Sequence, residues 1–232
     1  MIVAIHQPSY WPWLGLINKI ALADTFVILD NVNANKDSFQ FKNLFYCNGE
    51  AKKLSIPVNY SMGIKIRELQ FKNESWKKDH LNKIQNYYLK APFFNEVFPK
   101  VQKIYETISS DFVVDFLIDT MKFELDAFHI NTKFIKSSEI EYSGLKGDLV
   151  LDIFLKTKAN EYISGKGALN YMDNTLLDKF KKTNINIRFI DNPEFFYQQN
   201  RKYPFVPGLA GLDILFFLGF EEAKKYFWSH VK

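Results

Sequence analysis

Five short apolar runs alternate with helical patterns along the chain, and this alternation limits the fold more than any other feature. Residues 2–5, 26–29, 132–135, 161–163 and 186–190 are too short for helices and end in polar or turn-forming residues, so each reads as a strand. Strands that alternate with helices build a parallel sheet covered on both faces. The expected fold is α/β: a Rossmann-like three-layer domain with a mostly parallel sheet, formed by residues 1–232 as one unit.

Two segments interrupt the rhythm. Ser38-Phe39-Gln40-Phe41-Lys42 alternates apolar and polar, Asn48-Gly49-Glu50 signals a turn, and residues 53–58 return, which predicts an antiparallel hairpin. Residues 64–71 predict one more strand, so the insertion covers residues 38–72. A helical segment follows over 74–128. Trp76, His80, Ile84, Tyr87 and Tyr88 share one helix face, and Ala91-Pro92 ends that helix. A second helix is predicted over 94–108, and Ser110-Asp111 caps a third. Helices over 148–158 and 175–183, a long loop over 192–208, a helix over 209–218 and a tail helix over 221–230 complete the reading.

Charge and cysteine usage narrow the function classes. Lys+Arg number 30 and Asp+Glu 26, a net charge of +4 with no basic run of five. That balance allows a small anionic ligand but is not the footprint of a nucleic-acid binder. Cys47 is the sole cysteine, which excludes an internal disulfide and a cysteine zinc site and points to a reducing cytoplasm. Residues 1–5 are too short an apolar run for a signal peptide, and residues 214–220 fall far short of a membrane span. Aromatics make up 17% of the chain, enough to fill a core and also to line a pocket for ring-shaped ligands.

The opening thirty residues gather most of the candidate chemistry. After the first strand comes Ile5-His6-Gln7-Pro8-Ser9-Tyr10-Trp11-Pro12-Trp13-Leu14-Gly15, a polar loop braced by two prolines. Pro12 suits the first turn of the helix that follows, and a second strand then ends at Asp30. If the two strands are parallel neighbours, His6, Gln7, Ser9 and Asp30 converge where α/β sheets bind ligands.

His6 is a candidate general base, with a loop-bracing hydrogen bond as its plain alternative. His80 is a second candidate, set against a buried helix-packing role. Asp30 and Asp191 are strand-end carboxylates that equally suit turn formation. Ser164-Gly165-Lys166-Gly167 has the make-up of an anion cradle, or of a tight strand-to-helix turn. Lys36 and Arg201 lie in polar loops within reach of an anion or plainly in solvent. No hydrolase elbow, His-Glu-x-x-His or paired-cysteine spacing occurs, so no metal is predicted.

The stretch from Ile5 to Gly15, followed by Asp24-Thr25-Phe26-Val27-Ile28-Leu29-Asp30-Asn31-Val32, resembles the opening signature of the WbqC-like protein family. Lys36-Asp37-Ser38-Phe39-Gln40 with Asn43, Pro57, Trp76-Lys77-Lys78-Asp79-His80 with Tyr87 and Lys90-Ala91-Pro92-Phe93 continue it. So do Tyr162 to Ala168 with Tyr171 and Asp173, and the segment 207–219 with Asp213. Phe39 stands where the family often has Trp, and Tyr197-Gln198-Gln199-Asn200 departs from the family's Tyr-Pro-Gln.

The resemblance implies a setting in O-antigen and capsule biosynthesis, with acyl or aminoacyl transfer to an amino sugar as the associated activity. On that reading the chain is a cytoplasmic transferase acting on a nucleotide-linked sugar, with an acyl or aminoacyl donor, an acyl-carrier partner, no nucleic acid and no membrane. His6, Asp30 and His80 would be catalytic. Gln7, Ser9, Tyr10, Trp13, Lys36, Asn43, Ser164, Gly165, Lys166, Gly167, Tyr171 and Asp191 would bind substrate, with Tyr10 and Trp13 stacking on a ring. An ATP-dependent adenylate-forming enzyme and a non-catalytic sugar-nucleotide binder are the alternatives.

Overall fold

The computed structural model describes residues 1–36, 38–167, 174–183 and 185–231. Its centre is a five-stranded sheet of β1 (Ile2–His6), β2 (Thr25–Ile28), β5 (Lys133–Lys136), β6 (Glu161–Gly165) and β7 (Asn186–Ile190). The spatial order is β5-β2-β1-β6-β7, and every neighbouring pair is parallel. Ala4 lies in register with Phe26 on one side and Ile163 on the other.

The strands read as continuous apolar runs because both faces are covered. Val3, Ile5 and Tyr162 pack on one face against Ile153, Phe154 and Phe180. These come from α5 (Lys146–Thr157) and α6 (Asn174–Lys182). Ala4, Phe26 and Ile163 face the other layer, which holds α1 (Leu14–Ala21) and the larger aromatic core. The α/β fold with its parallel sheet and separate hairpin is therefore as expected. Among the described residues no helix is long and apolar enough to cross a membrane.

The hairpin is β3 (Lys42–Cys47) and β4 (Glu50–Ser55), paired only with each other. Asn48 and Gly49 have φ of 51° and 84°, the two positive values that a two-residue turn needs between tightly twisted strands. The strands sit closer to the turn than the alternation predicts. Residues 38–41 are not strand, because the Gln40 carbonyl accepts from Tyr10 N–H at 2.8 Å and so serves the first loop. Residues 64–71 are not a strand either. They hold one 3-10 turn, Ile66–Glu68, and meet their neighbours only through isolated bridges such as Val58 with Phe71.

The helical segment is α2 (Ser75–Tyr88), α3 (Phe94–Thr107) and α4 (Val113–Ala127). In α2 the buried residues are Trp76, His80, Ile84 and Tyr88, one per turn. The last helix, α7 (Leu212–His230), is broken at Gly219, where φ is 74° and a Cβ would lie 2.6 Å from the Phe93 ring. The two predicted C-terminal helices are thus present as two helical arms that meet at the non-helical Gly219. The first arm starts at Leu212 rather than 209; Ala210 instead forms an isolated bridge with Trp13 and donates its N–H to the Leu44 carbonyl.

Candidate functional site

A parallel sheet opens a ligand crevice where its strand order reverses, because the loops leaving the two strands there run to opposite sides. The order β5-β2-β1-β6-β7 puts that reversal between β1 and β6. His6 ends β1, and Ser164 and Gly165 end β6. A cavity of about 370 Å³ lies at this point, walled by His6, Trp13, Lys19, Ser164, Gly165 and Asp191 among others.

His6 is partly buried, and its Nδ1 lies 2.8 Å from the Gln7 carbonyl. A carbonyl only accepts, so Nδ1 carries the proton and donates, leaving the Nε2 lone pair free. No described residue bonds Nε2. Burial, and then the nearby Lys19 charge, lower the His6 pKa from 6.5 to about 4. The ring is neutral at pH 7 and keeps its Nε2 lone pair.

Trp13 meets the His6 ring edge-on at 5.9 Å. The two side chains also wall a second cavity of about 490 Å³, which continues past Gln7, Pro8, Ser9 and Gln40. Phe39, half exposed, forms part of the same wall. A third cavity of about 430 Å³ lies beside Asn192 and Phe195, and Trp13 is part of its wall too.

The loop carrying these groups is clamped from behind. Trp11 is fully buried with φ of 44°, a left-handed conformation that costs a bulky residue roughly 1–3 kcal/mol. Its indole N–H donates to Tyr105 Oη at 3.1 Å, and its own N–H donates to Thr120 Oγ1 at 3.3 Å. Asn43 Nδ2 donates to the carbonyls of Tyr10 and Trp11. Tyr10 Oη donates to His80 Nδ1 at 2.8 Å, while His80 Nε2 donates to the Ser55 carbonyl at 3.1 Å. Both nitrogens of His80 are occupied and the ring is 3% exposed, so it faces no cavity.

Several expected site residues therefore do something else. Tyr10 has no exposed surface and packs against Phe45, His80 and Phe116, so no ligand ring stacks on it. His80 and Asn43 hold the loop rather than a substrate. Asp30 does not converge with His6, because β2 lies on the far side of β1 from the crevice. Its carboxylate accepts from Ser137 Oγ, Ser138 N–H and Ser138 Oγ at 2.9, 2.8 and 2.6 Å, capping the turn after β5. Ser9 Oγ donates to the Phe39 carbonyl, and Gln7 Oε1 accepts from Gln40 Nε2. Lys166 and Asp191 form an exposed ion pair at the mouth of the β1–β6 cavity. Lys36 is exposed and walls neither His6 cavity. Tyr171 and Asp173 lie outside the described residues.

The late loop is anchored by Asp213, which has no exposed surface. Its oxygens accept from Tyr88 Oη, Tyr197 Oη and Gln199 Nε2 at 2.9, 2.6 and 2.8 Å. Burial outweighs these bonds and raises its pKa from 3.8 to about 6. This anchor holds the segment that presents Asn192 and Gly208 to the cavities.

The WbqC-like protein family matches residues 7–225, a span that takes in the clamped loop, the β6 turn and the Asp213 anchor. The chain belongs to the WbqC-like protein family. It is also 26% identical over 229 residues to a Mycobacterium tuberculosis protein named "Uncharacterized protein Rv1507c", with 94% of each chain covered. No solved structure gives a significant match. That relative's name carries no reaction.

Two glycines stand in the wall of the β1–β6 cavity. Gly165 and Gly167 line the β1–β6 cavity, have no positive φ, and an added Cβ would meet nothing within 4 Å. The protein itself has no steric need for glycine there. If a ligand occupies this cavity, a Gly165→Ala variant is expected to melt within about 1 kcal/mol of wild type yet lose most of that ligand's binding by calorimetry. Equal binding would show that no ligand approaches this backbone.

Lys19, Asn192 and Phe39 are site residues that the sequence reading passes over. For Lys19 the sequence carries no local signal: it shares one side of α1 with Gly15 and Asn18, away from Leu16, Ile17 and Ile20, and that side reads as solvent-facing although the structure buries it.

Proposed function

We propose that this protein transfers an acyl or aminoacyl group to the amine of a nucleotide-linked amino sugar in surface-polysaccharide biosynthesis. One observation carries the chemistry: a neutral His6, its Nε2 without a partner among the described residues, stands on the boundary of two adjoining cavities. A transfer reaction needs two ligands meeting at a proton acceptor, and this arrangement supplies one wall to each. The β1–β6 cavity, with Ser164 and the glycine turn, suits the diphosphate. The second cavity, with the Phe39 and Trp13 rings and the amides of Gln7 and Gln40, suits the other ligand.

The sugar amine attacks the carbonyl carbon of a thioester or ester donor. A carbon–nitrogen bond forms and the carbon–sulfur or carbon–oxygen bond breaks. The proton lost by nitrogen passes to His6 Nε2 and then to the departing thiolate or alkoxide. The Gln7 carbonyl, rather than Asp30, orients the ring. The polysaccharide setting rests on the family resemblance.

Mass spectrometry of the protein incubated with nucleotide-linked amino sugars and a panel of acyl thioesters and aminoacyl esters tests the reading. A sugar nucleotide heavier by the donor's acyl group is the expected result. Tight binding of the sugar nucleotide with no mass change across the panel would replace it with a binding role.

A further inference from the structure

Lys19 lies in α1, where residues 14–20 are all buried, and is itself 7% exposed. Lysines at such positions ordinarily extend their stems to put the ammonium in water. Lys19 instead turns its Nζ to the Ile5 carbonyl at 2.8 Å, at the carboxyl end of β1. An ammonium has three donors, and this bond uses one. No other hydrogen bond and no carboxylate partner is found among the described residues, and no neighbouring charge offsets the desolvation that lowers its pKa to about 8. Burying a charge without a counterion is costly, and structures normally avoid it by pairing.

The place of this unpaired charge identifies its use. Lys19 walls the β1–β6 cavity together with Ser164, Gly165 and Gly167. Asp191 is the acidic member of that wall, and it is already paired with Lys166 at the exposed mouth. The cavity therefore keeps one uncompensated positive charge at depth, beside backbone left open by two glycines.

We infer that Lys19 is the anion anchor of the cavity, binding a phosphoryl oxygen of the ligand with the two donors that the Ile5 carbonyl leaves free. Ser164 and the turn at residues 165–167 complete the site. The inference rests on the transferase reading only in that the cavity receives a ligand, and it names the residue that carries the charge. It also gives His6 and Lys19 separate tasks: one accepts a proton while the other stays protonated and holds the anion.

Calorimetric titration with inorganic pyrophosphate and, separately, malonate tests it. Wild type and Lys19→Arg are expected to bind pyrophosphate, and Lys19→Met to bind it at least about tenfold more weakly. Lys133→Met, at the opposite end of the sheet, controls for net charge and is expected to match wild type. Wild-type crystals soaked in tungstate provide a measurement that needs no variant. An anomalous peak within hydrogen-bonding reach of Lys19 Nζ supports the inference, and a peak elsewhere or none overturns it. Unchanged pyrophosphate affinity in a folded Lys19→Met protein also overturns it, and preference for malonate replaces the phosphoryl group with a carboxylate. Pyrophosphate binding needs neither donor nor acceptor, so a failed transfer assay leaves this result standing, and the converse holds.

Discussion

On the proposed transferase reading, a His6→Ala variant transfers acyl groups about 100- to 10,000-fold more slowly than wild type, the usual loss when a positioned proton acceptor is removed. Its fold should survive, because His6 is only partly buried and its ring makes one hydrogen bond among the described residues, to its own neighbour Gln7. The loss should fall on kcat rather than KM, since the ring acts on the moving proton and not on the resting ligand. The pH profile supplies a second check. With a His6 pKa of about 4, an acid limb from this residue appears only near pH 4 and not near 6.5. A His6→Ala protein that keeps more than a tenth of the wild-type rate would remove His6 from the chemistry.

The other large effect concerns stability. Asp213→Ala strips an acceptor from two buried tyrosine hydroxyls and a glutamine amide at once. The expected loss at pH 5 is about 3–5 kcal/mol by urea denaturation. Its pH dependence has a definite sign. Asp213 has a folded-state pKa of about 6, above its unfolded value of 3.8. The folded protein holds that proton more tightly, so the group's contribution is full below about pH 3.8 and declines as pH rises to about 6. The whole decline amounts to roughly 3 kcal/mol. The deficit of Asp213→Ala against wild type should therefore shrink between pH 4 and pH 7. A deficit that grows with pH would mean that the carboxylate is stabilised, not strained, by its burial.

The strand–helix rhythm is legible in the sequence because a sheet buried on both faces must be written as short, unbroken apolar runs. The hairpin is legible from Asn48-Gly49, whose backbone angles few other pairs adopt. Strand order is not written locally. His6 and Asp30 end consecutive strands and look like partners, yet the reversal of order lies between β1 and β6. That single non-local fact exchanges Asp30 for Ser164 and Lys19. Tyr10 and His80 mislead for a related reason. Aromatic and imidazole groups suit a ligand pocket and a buried polar network equally well, and only packing against Tyr105, Phe116 and Ser55 decides which they serve.

Trp13 is common to the walls of three neighbouring cavities. A partition shared in this way makes occupancy on one side a term in the free energy of binding on the other. Any tilt of the indole that enlarges one compartment shrinks its neighbour, and a ligand that props it in place fixes the shape offered to the next. Such linkage is reciprocal: whatever factor the first ligand applies to the affinity of the second, the second applies to the first. Ligands in adjoining cavities would then be coupled through one side chain, equally whichever of them binds first.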